Sequence, residues 1–120
     1  MEELIIPYGV TIQGDGTWYP KIVGDHPNKV TNSGLSLPPG PCRVAFSWAG
    51  ENAAELVLAN GSSVKRPARV EAKVGGGPRS AMVTIGARAG DRVEVNANSK
   101  AGETGTIEVY PMPRLASEDA

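Results

Sequence analysis

Apolar side chains recur at every second position through most of this chain. In Cys42-Arg43-Val44-Ala45-Phe46-Ser47-Trp48 the even positions carry Cys, Val, Phe and Trp, while the odd ones carry Arg, Ala and Ser. A period of two places one set on a buried sheet face and the other towards solvent. Val93, Val95 and Ala97 alternate in the same way with Arg92, Glu94 and Asn96, and Ile107 and Val109 with Thr106, Glu108 and Tyr110. Ala81, Val83 and Ile85 form a further row, and Val10 and Ile12 alternate with Thr11 and Gln13. Gly14-Asp15-Gly16 then predicts a hairpin turn into a strand over 17–23, because glycine tolerates the positive φ of such turns.

Residues 64–74 carry a longer row, Val64, Ala68, Val70, Ala72 and Val74. Arg66 interrupts it, and Pro67 has no N–H to give to a ladder, so a bulge or an edge position is expected there. The run Glu55–Asn60 ending at Gly61 reads as a strand leading through an Asn-Gly turn into the next. A short helix over 51–59 competes, since Ala, Glu and Leu are good helix formers, but the turn favours the strand. The count is eight strands, nine if Leu4–Ile6 is another.

Composition sharpens the fold class. Fifteen glycines and ten prolines among 120 residues leave no room for long helices. Punctuation at this spacing predicts an all-β, antiparallel β-sandwich, jelly-roll or immunoglobulin-like in strand order. Residues 24–41 hold Gly24, Pro27, Gly34, Pro38, Pro39, Gly40 and Pro41, and read as a long surface connection from one sheet to the other. The expected organisation is an N-terminal arm or first strand at 1–8, a sandwich over 9–111, and a flexible tail over 112–120.

Charge and rare residues narrow the function classes. Twelve Lys and Arg against thirteen Asp and Glu give a net charge of −1, unlike the basic footprint of a nucleic-acid binder. One Cys, Cys42, and one His, His26, cannot supply the four ligands of a structural zinc site, and Cys42 has no disulfide partner. The absence of a disulfide fits a reducing cytoplasm, and the acidic N-terminus with its three-residue apolar run is neither a signal peptide nor a membrane span. Cys42 shares a row with Val44, Phe46 and Trp48 and is expected in the core. Asp25 next to His26 suggests half of an acid/base pair, but adjacent loop residues usually point apart, so His26 reads as a surface loop histidine. Asp15 alone does not make a calcium loop, and Gly75-Gly76-Gly77 lacks the Lys-Ser/Thr of a phosphate loop. No catalytic residue, metal ligand or cofactor is implied.

Partner-binding candidates remain. Trp18 and Tyr19 are adjacent, so on a strand one ring would face out, to cover its own sheet, anchor an interface or stack on a sugar. Lys65, Arg69 and Lys73 line the outward side of one expected strand, as a solvated edge or as a patch meeting an acidic partner. Leu4, Ile5, Ile6 and Tyr8, bounded by Pro7 and Gly9, suit addition to a neighbour's sheet edge or groove, or a first strand of the chain's own fold.

Ala89-Gly90-Asp91-Arg92-Val93-Glu94-Val95 followed by Thr104-Gly105-Thr106-Ile107-Glu108-Val109 resembles the closing strand pair of small jelly-roll modules. Such modules occur in tumour-necrosis-factor-like and complement-type trimeric heads, and in bacteriophage capsid decoration and head-fibre proteins. Small size, no disulfide and many Gly, Ala and Pro align the chain with the phage group. That resemblance implies a non-enzymatic virion accessory protein that docks on and stabilises a capsid lattice, binds the major capsid protein or another virion protein, and forms a homo-oligomer, often a trimer. It implies assembly in a host cytoplasm, with no nucleic-acid or membrane partner, and carries over no functional residue. The alternative is a carbohydrate-binding sandwich using Trp18 and Tyr19.

Overall fold

The computed structural model describes residues 7–24, 30–31 and 34–112. Among the described residues every regular element is a strand. These are β1 (Tyr8–Gln13), β2 (Lys21–Val23), β3 (Val30–Thr31), β4 (Gly34–Ser36), β5 (Gly40–Trp48), β6 (Ala54–Asn60), β7 (Ser63–Val70), β8 (Arg79–Ala87), β9 (Arg92–Ala97) and β10 (Thr104–Pro111). They form two five-stranded sheets, β2-β1-β10-β5-β8 and β3-β4-β9-β6-β7, and every pairing is antiparallel.

The pairings nest. β1 lies beside β10, β4 beside β9, β5 beside β8 and β6 beside β7, while β2 and β3 are short additions at one edge of each sheet. The first half of the chain thus runs back along the second like one long hairpin, rolled so that successive pairs fall in alternate sheets. That is a jelly roll, and it decides against the immunoglobulin-like order.

The core is built from the rows that the alternation marks. Cys42, Val44, Phe46 and Trp48 of β5 face Val93, Val95 and Ala97 of β9 and Leu56 of β6 within one cluster, joined by Ile107 and Val109 of β10 and Ile12 of β1. The 54–60 segment is a strand, so the helical alternative is excluded. Pairing jumps from Leu56↔Ala68 to Leu58↔Lys65, two steps on β6 against three on β7. The extra residue falls at Arg66-Pro67, where the bulge is expected, and β7 is the outermost strand of its sheet.

Other expectations are corrected. The chain has ten strands among its described residues, against eight or nine expected. The strand expected over 17–23 is reduced to Lys21–Val23, and Gly14-Asp15-Gly16 opens a seven-residue loop, with no tight hairpin. The cause is a competing set of hydrogen bonds. Thr17 O accepts from Ser99 N (3.2 Å) and Ser99 Oγ (2.8 Å), and Trp18 O accepts from Ala97 N (3.0 Å), so the loop backbone is tied to the end of β9. β7 stops at Val70, and both Val64 and Val74 are exposed, because the bulge inverts the phase on one side and the chain turns away on the other. The Gly- and Pro-rich connection is no plain surface loop: it carries β3 and β4, and Leu35 and Leu37 are buried. Leu4, Ile5, Ile6, His26 and the tail from 113 onward lie outside the described residues.

Two core groups give solution tests. Tyr8 is only 9% exposed, and its hydroxyl donates to Ser36 O at 2.6 Å, bracing β1 against β4 of the opposite sheet. Burial, with a smaller push from Cys42, raises its pKa to about 12 from 10.0. Folding therefore favours the neutral phenol. This contribution is complete below pH 10 and is lost as pH rises through about 12; it is on the order of 3 kcal/mol. Tyr8→Phe is expected to lower stability near pH 7 by about 1 kcal/mol and to flatten the alkaline fall. Denaturant midpoints of both proteins from pH 7 to 12 check this, the wild type correcting for the exposed tyrosines. Cys42 is fully buried, and burial, then the Asp91 charge, pushes its thiol pKa up. Native protein is expected to resist a thiol reagent that labels it at once in denaturant.

Candidate functional site

The two outer faces of the sandwich differ in chemistry. On the β3-β4-β9-β6-β7 sheet the outward positions include Arg92 and Glu94 of β9, Glu55 of β6 and Arg69 of β7, with Arg66 Nε 3.7 Å from Glu55. Partial burial raises the pKa of Glu94, and Arg92 partly offsets it. On the β2-β1-β10-β5-β8 sheet the outward rows are instead short and mostly uncharged. Gly9 and Thr11 of β1 lie beside Thr106 and Glu108 of β10, then Ala45 and Ser47 of β5, then Met82 and Ser80 of β8. Ser47 Oγ and Thr106 Oγ1 share a hydrogen bond of 2.7 Å across the strands.

Charge on this second face is sparse: Glu108 stands on the central strand β10, and Arg43 and Lys21 lie at the margins. Glu108 accepts a hydrogen bond from the Tyr110 hydroxyl, which raises the tyrosine pKa. Arg43 sits opposite Tyr110 at one end, and Lys21 lies on the short edge strand. An open groove of about 490 Å³ runs over β1 and β10, bounded by Pro7, Val23, Gly24, Glu108 and Tyr110. Gly9 keeps its floor low: a Cβ there would lie 3.2 Å from Ile107 O and 3.3 Å from Glu108 Cγ.

The predicted site residues do not form one surface. Trp18 and Tyr19 are both exposed, at 59% and 56%, where a strand would have hidden one of them. Their loop is held in place by the bonds to Ser99 and Ala97, and by Asp15 Oδ1, which accepts from Thr17 N (3.1 Å) and Thr17 Oγ1 (2.5 Å). The Thr17 hydroxyl bond lowers the Asp15 pKa. Tyr8 is a core residue of β1.

Lys65, Arg69 and Lys73 are not a row. Lys65 precedes the bulge and lines a pocket at the sandwich end, and Arg69 pairs with Glu71 at 3.2 Å. Lys73 lies past the end of β7, with its backbone N–H given to Glu51 O. Sequence reasoning missed Met82, Tyr110 and Thr106 as surface residues of one face. Their outward phase was visible, but their adjacency comes from the strand order.

Glu51, Lys100 and Glu103 gather at the other end. Lys100 Nζ lies 3.0 Å from Glu51 Oε2, and this bond lowers the Glu51 pKa and raises that of Lys100. Glu103 is spent on the backbone, accepting from Glu51 N (3.0 Å) and Lys100 N (2.7 Å). Each of these groups has a structural partner, and no cluster of three or more metal-ligating side chains occurs among the described residues. Among the described residues no helix is long and apolar enough to cross a membrane. What the described surface offers is contact area: a flat face with little charge, a shallow groove and a rigidly mounted aromatic pair.

No protein-family model matches this chain, and no curated protein sequence does. Among solved structures it is similar to Eiger TNF from S. frugiperda, at 14% identity and a TM-score of 0.48, covering 88% of this chain and 92% of that one. The jelly roll rests on the strand order within the chain itself.

Proposed function

We propose that this chain is a non-enzymatic interaction module that self-associates through the outer face of the β2-β1-β10-β5-β8 sheet and docks as an oligomer on a larger protein assembly. The resemblance of its closing strands to small jelly-roll modules, together with small size, no disulfide and many Gly, Ala and Pro, supports a bacteriophage capsid as that assembly, with the chain as its decoration protein and the virion as its location. The carrying observation is the contrast between the two outer faces. Interface centres are depleted of charge because an unpaired ion loses its hydration on burial. The row Thr11-Thr106-Ser47-Ser80 carries no charge and the row Gly9-Glu108-Ala45-Met82 carries one, engaged by the Tyr110 hydroxyl, whereas the face around Glu55 and Arg69 is charged.

An oligomer, a trimer on a threefold position, engages several sites at once, so modest contacts sum to firm attachment. Because it binds the assembled lattice, it stabilises that state over separated subunits. The test is Ala45→Glu, which sets a second carboxylate beside Glu108 at the centre of the face. Sedimentation is expected to show an oligomer for the wild type and a monomer for the variant, with the same β-type circular dichroism. A monomeric wild type at tens of micromolar overturns self-association. A native particle far below capsid mass, weighed with the chain bound, overturns the decoration role.

The exposed Trp18–Tyr19 pair favours a second reading, a carbohydrate-binding sandwich. Aromatic faces stack on sugar C–H surfaces, and the fixed loop limits the ordering cost. Here Trp18→Ala is expected to stay folded and to lose glycan affinity at least tenfold in titration calorimetry. A wild type that binds no glycan at millimolar sugar ends that reading.

A further inference from the structure

The two sheets have four outer strands, β2, β8, β3 and β7, and these are guarded unequally. β2 and β3 have only three and two residues. β7 has eight, but Pro67 offers no N–H, the bulge at Arg66-Pro67 breaks the ladder, and Lys65, Arg66 and Arg69 bring charge. Such devices keep an edge from pairing with another chain. β8 has none of them. It runs nine residues in unbroken register with β5, from Trp48↔Arg79 to Gly40↔Ala87. Residues 80–87 contain no charge and no proline. The one charge of the strand, on Arg79, is turned to carbonyls of Trp48, Gly50 and Glu71.

In an antiparallel ladder about half of an outer strand's N–H and C=O groups point away from its neighbour. Among the described residues, no backbone group of 80–87 has a partner outside the β5 ladder. β7 does not close this edge, since a pocket of about 350 Å³ opens between Lys65 of β7 and Gly86 of β8. Apolar surface is left open with it. Ala81 and Val83 share the inward phase of buried Ile85 but are only partly buried, and Met82 is 64% exposed.

We propose that β8 pairs antiparallel with β8 of a second copy about a two-fold axis at Val83, joining two five-stranded sheets edge to edge. The strand is complementary to itself. Centred on Val83, its whole length is used: Ala81 lies opposite Ile85 of the second copy, Met82 opposite its Thr84, and Arg79 opposite its Ala87. Inward positions meet inward positions, so both cores stay on one side of the joined sheet. No like charges face each other, and the half-buried Ala81 and Val83 gain apolar neighbours. This edge contact is separate from the outer face proposed for self-association. Alone it is weak, on the order of millimolar, because each backbone group exchanges a bond to water for one to its neighbour. Between oligomers already held by their faces, several such joints act at once and link one oligomer to the next.

The test uses the full chain carrying Ala45→Glu, so that the face contact is removed and the edge is read by itself. At about 1 mM this protein is expected to sediment as a dimer, and its Met82→Lys/Thr84→Lys derivative, which sets lysines opposite each other at the joint, as a folded monomer. Register is read by disulfides. Met82→Cys and Thr84→Cys derivatives are mixed in equal parts and oxidised, with Cys42 buried out of reach. Mass spectrometry is expected to find at least about fivefold more mixed dimer than the two homodimers together. Equal amounts, the result of random encounter, overturn the proposal. So does an Ala45→Glu protein that stays monomeric at about 1 mM, which leaves the edge to a strand of another protein. Failure of the face reading shows separately, as an oligomer at tens of micromolar that Ala45→Glu leaves unchanged.

Discussion

Arg79→Met is expected to cost about 3 kcal/mol or more of folding stability and to lower the thermal midpoint by roughly 10 °C or more. Arg79 opens β8, and its guanidinium is bound entirely by backbone carbonyls. Nε and Nη2 both donate to Glu71 O, at 2.9 and 2.8 Å, and Nη2 also to Asn52 O at 3.0 Å. Nη1 reaches Trp48 O (3.1 Å), Gly50 O (2.6 Å) and Gly77 O (2.8 Å). Two loops that connect different sheets, residues 49–53 and 71–78, thus converge on one side chain. Hydrogen bonds to a charged donor contribute more than neutral ones, and removal of the fork leaves partly buried carbonyls unmet.

Arg79→Lys is expected to recover less than half of the loss, because an ammonium has three donors and lacks the planar spread needed to reach five carbonyls. Urea denaturation of the three proteins measures this. A methionine variant within 0.5 kcal/mol of the wild type would show that the loops hold their shape without the arginine. The backbone bonds Gly77 N to Ala49 O and Lys73 N to Glu51 O, both 2.9 Å, would then carry the junction.

Nothing in the sequence marks Arg79 for this role. Its partners are carbonyls, which every residue owns, and their convergence depends on two loops meeting in space. The rows of β5, β9 and β10 are legible because burial of one face imposes a period of two on residues close in sequence. The sheet order is not legible, since period says which side faces in and not which strand lies alongside. For the same reason Thr106, Ala45 and Met82 are each visible as outward residues but not as one surface. Trp18 and Tyr19 read as strand because Thr-Trp-Tyr suits a pleated sheet. Ser99, more than eighty residues on, takes the Thr17 backbone instead. Lys65, Arg69 and Lys73 align on paper, but the bulge at Arg66-Pro67 shifts their phase. Lys65 then joins Arg88, a residue with no pattern to single it out.

Gly105→Ala is expected to destabilise the fold strongly, and it tests the register that creates the proposed face. Gly105 lies in β10 between Ile12 of β1 and Trp48 of β5, on the inward side of the sheet. A Cβ there would sit 2.3 Å from Ser47 O and 2.9 Å from Trp48 Cε3. The first contact is with the β5 backbone, so no side-chain rotation relieves it; β5 or β10 must shift, against a ladder that continues to Pro111↔Cys42. Overpacking of this kind costs roughly 1–3 kcal/mol or more, against a gain of about 0.5–1 kcal/mol from the lower entropy of an unfolded alanine. A net loss of about 2 kcal/mol or more is expected, and Trp48→Leu in the same chain is not expected to rescue it, since the carbonyl contact remains. Gly86→Ala is the control. Gly86 also lies in a strand, but its added Cβ would meet nothing within 4 Å, so stability should stay within about 0.5 kcal/mol of the wild type. If Gly105→Ala unfolds at the same urea concentration as Gly86→Ala, β10 does not pair with β5 in this register. Ala45 would then not lie beside Glu108, and the face assigned to self-association would lose its centre.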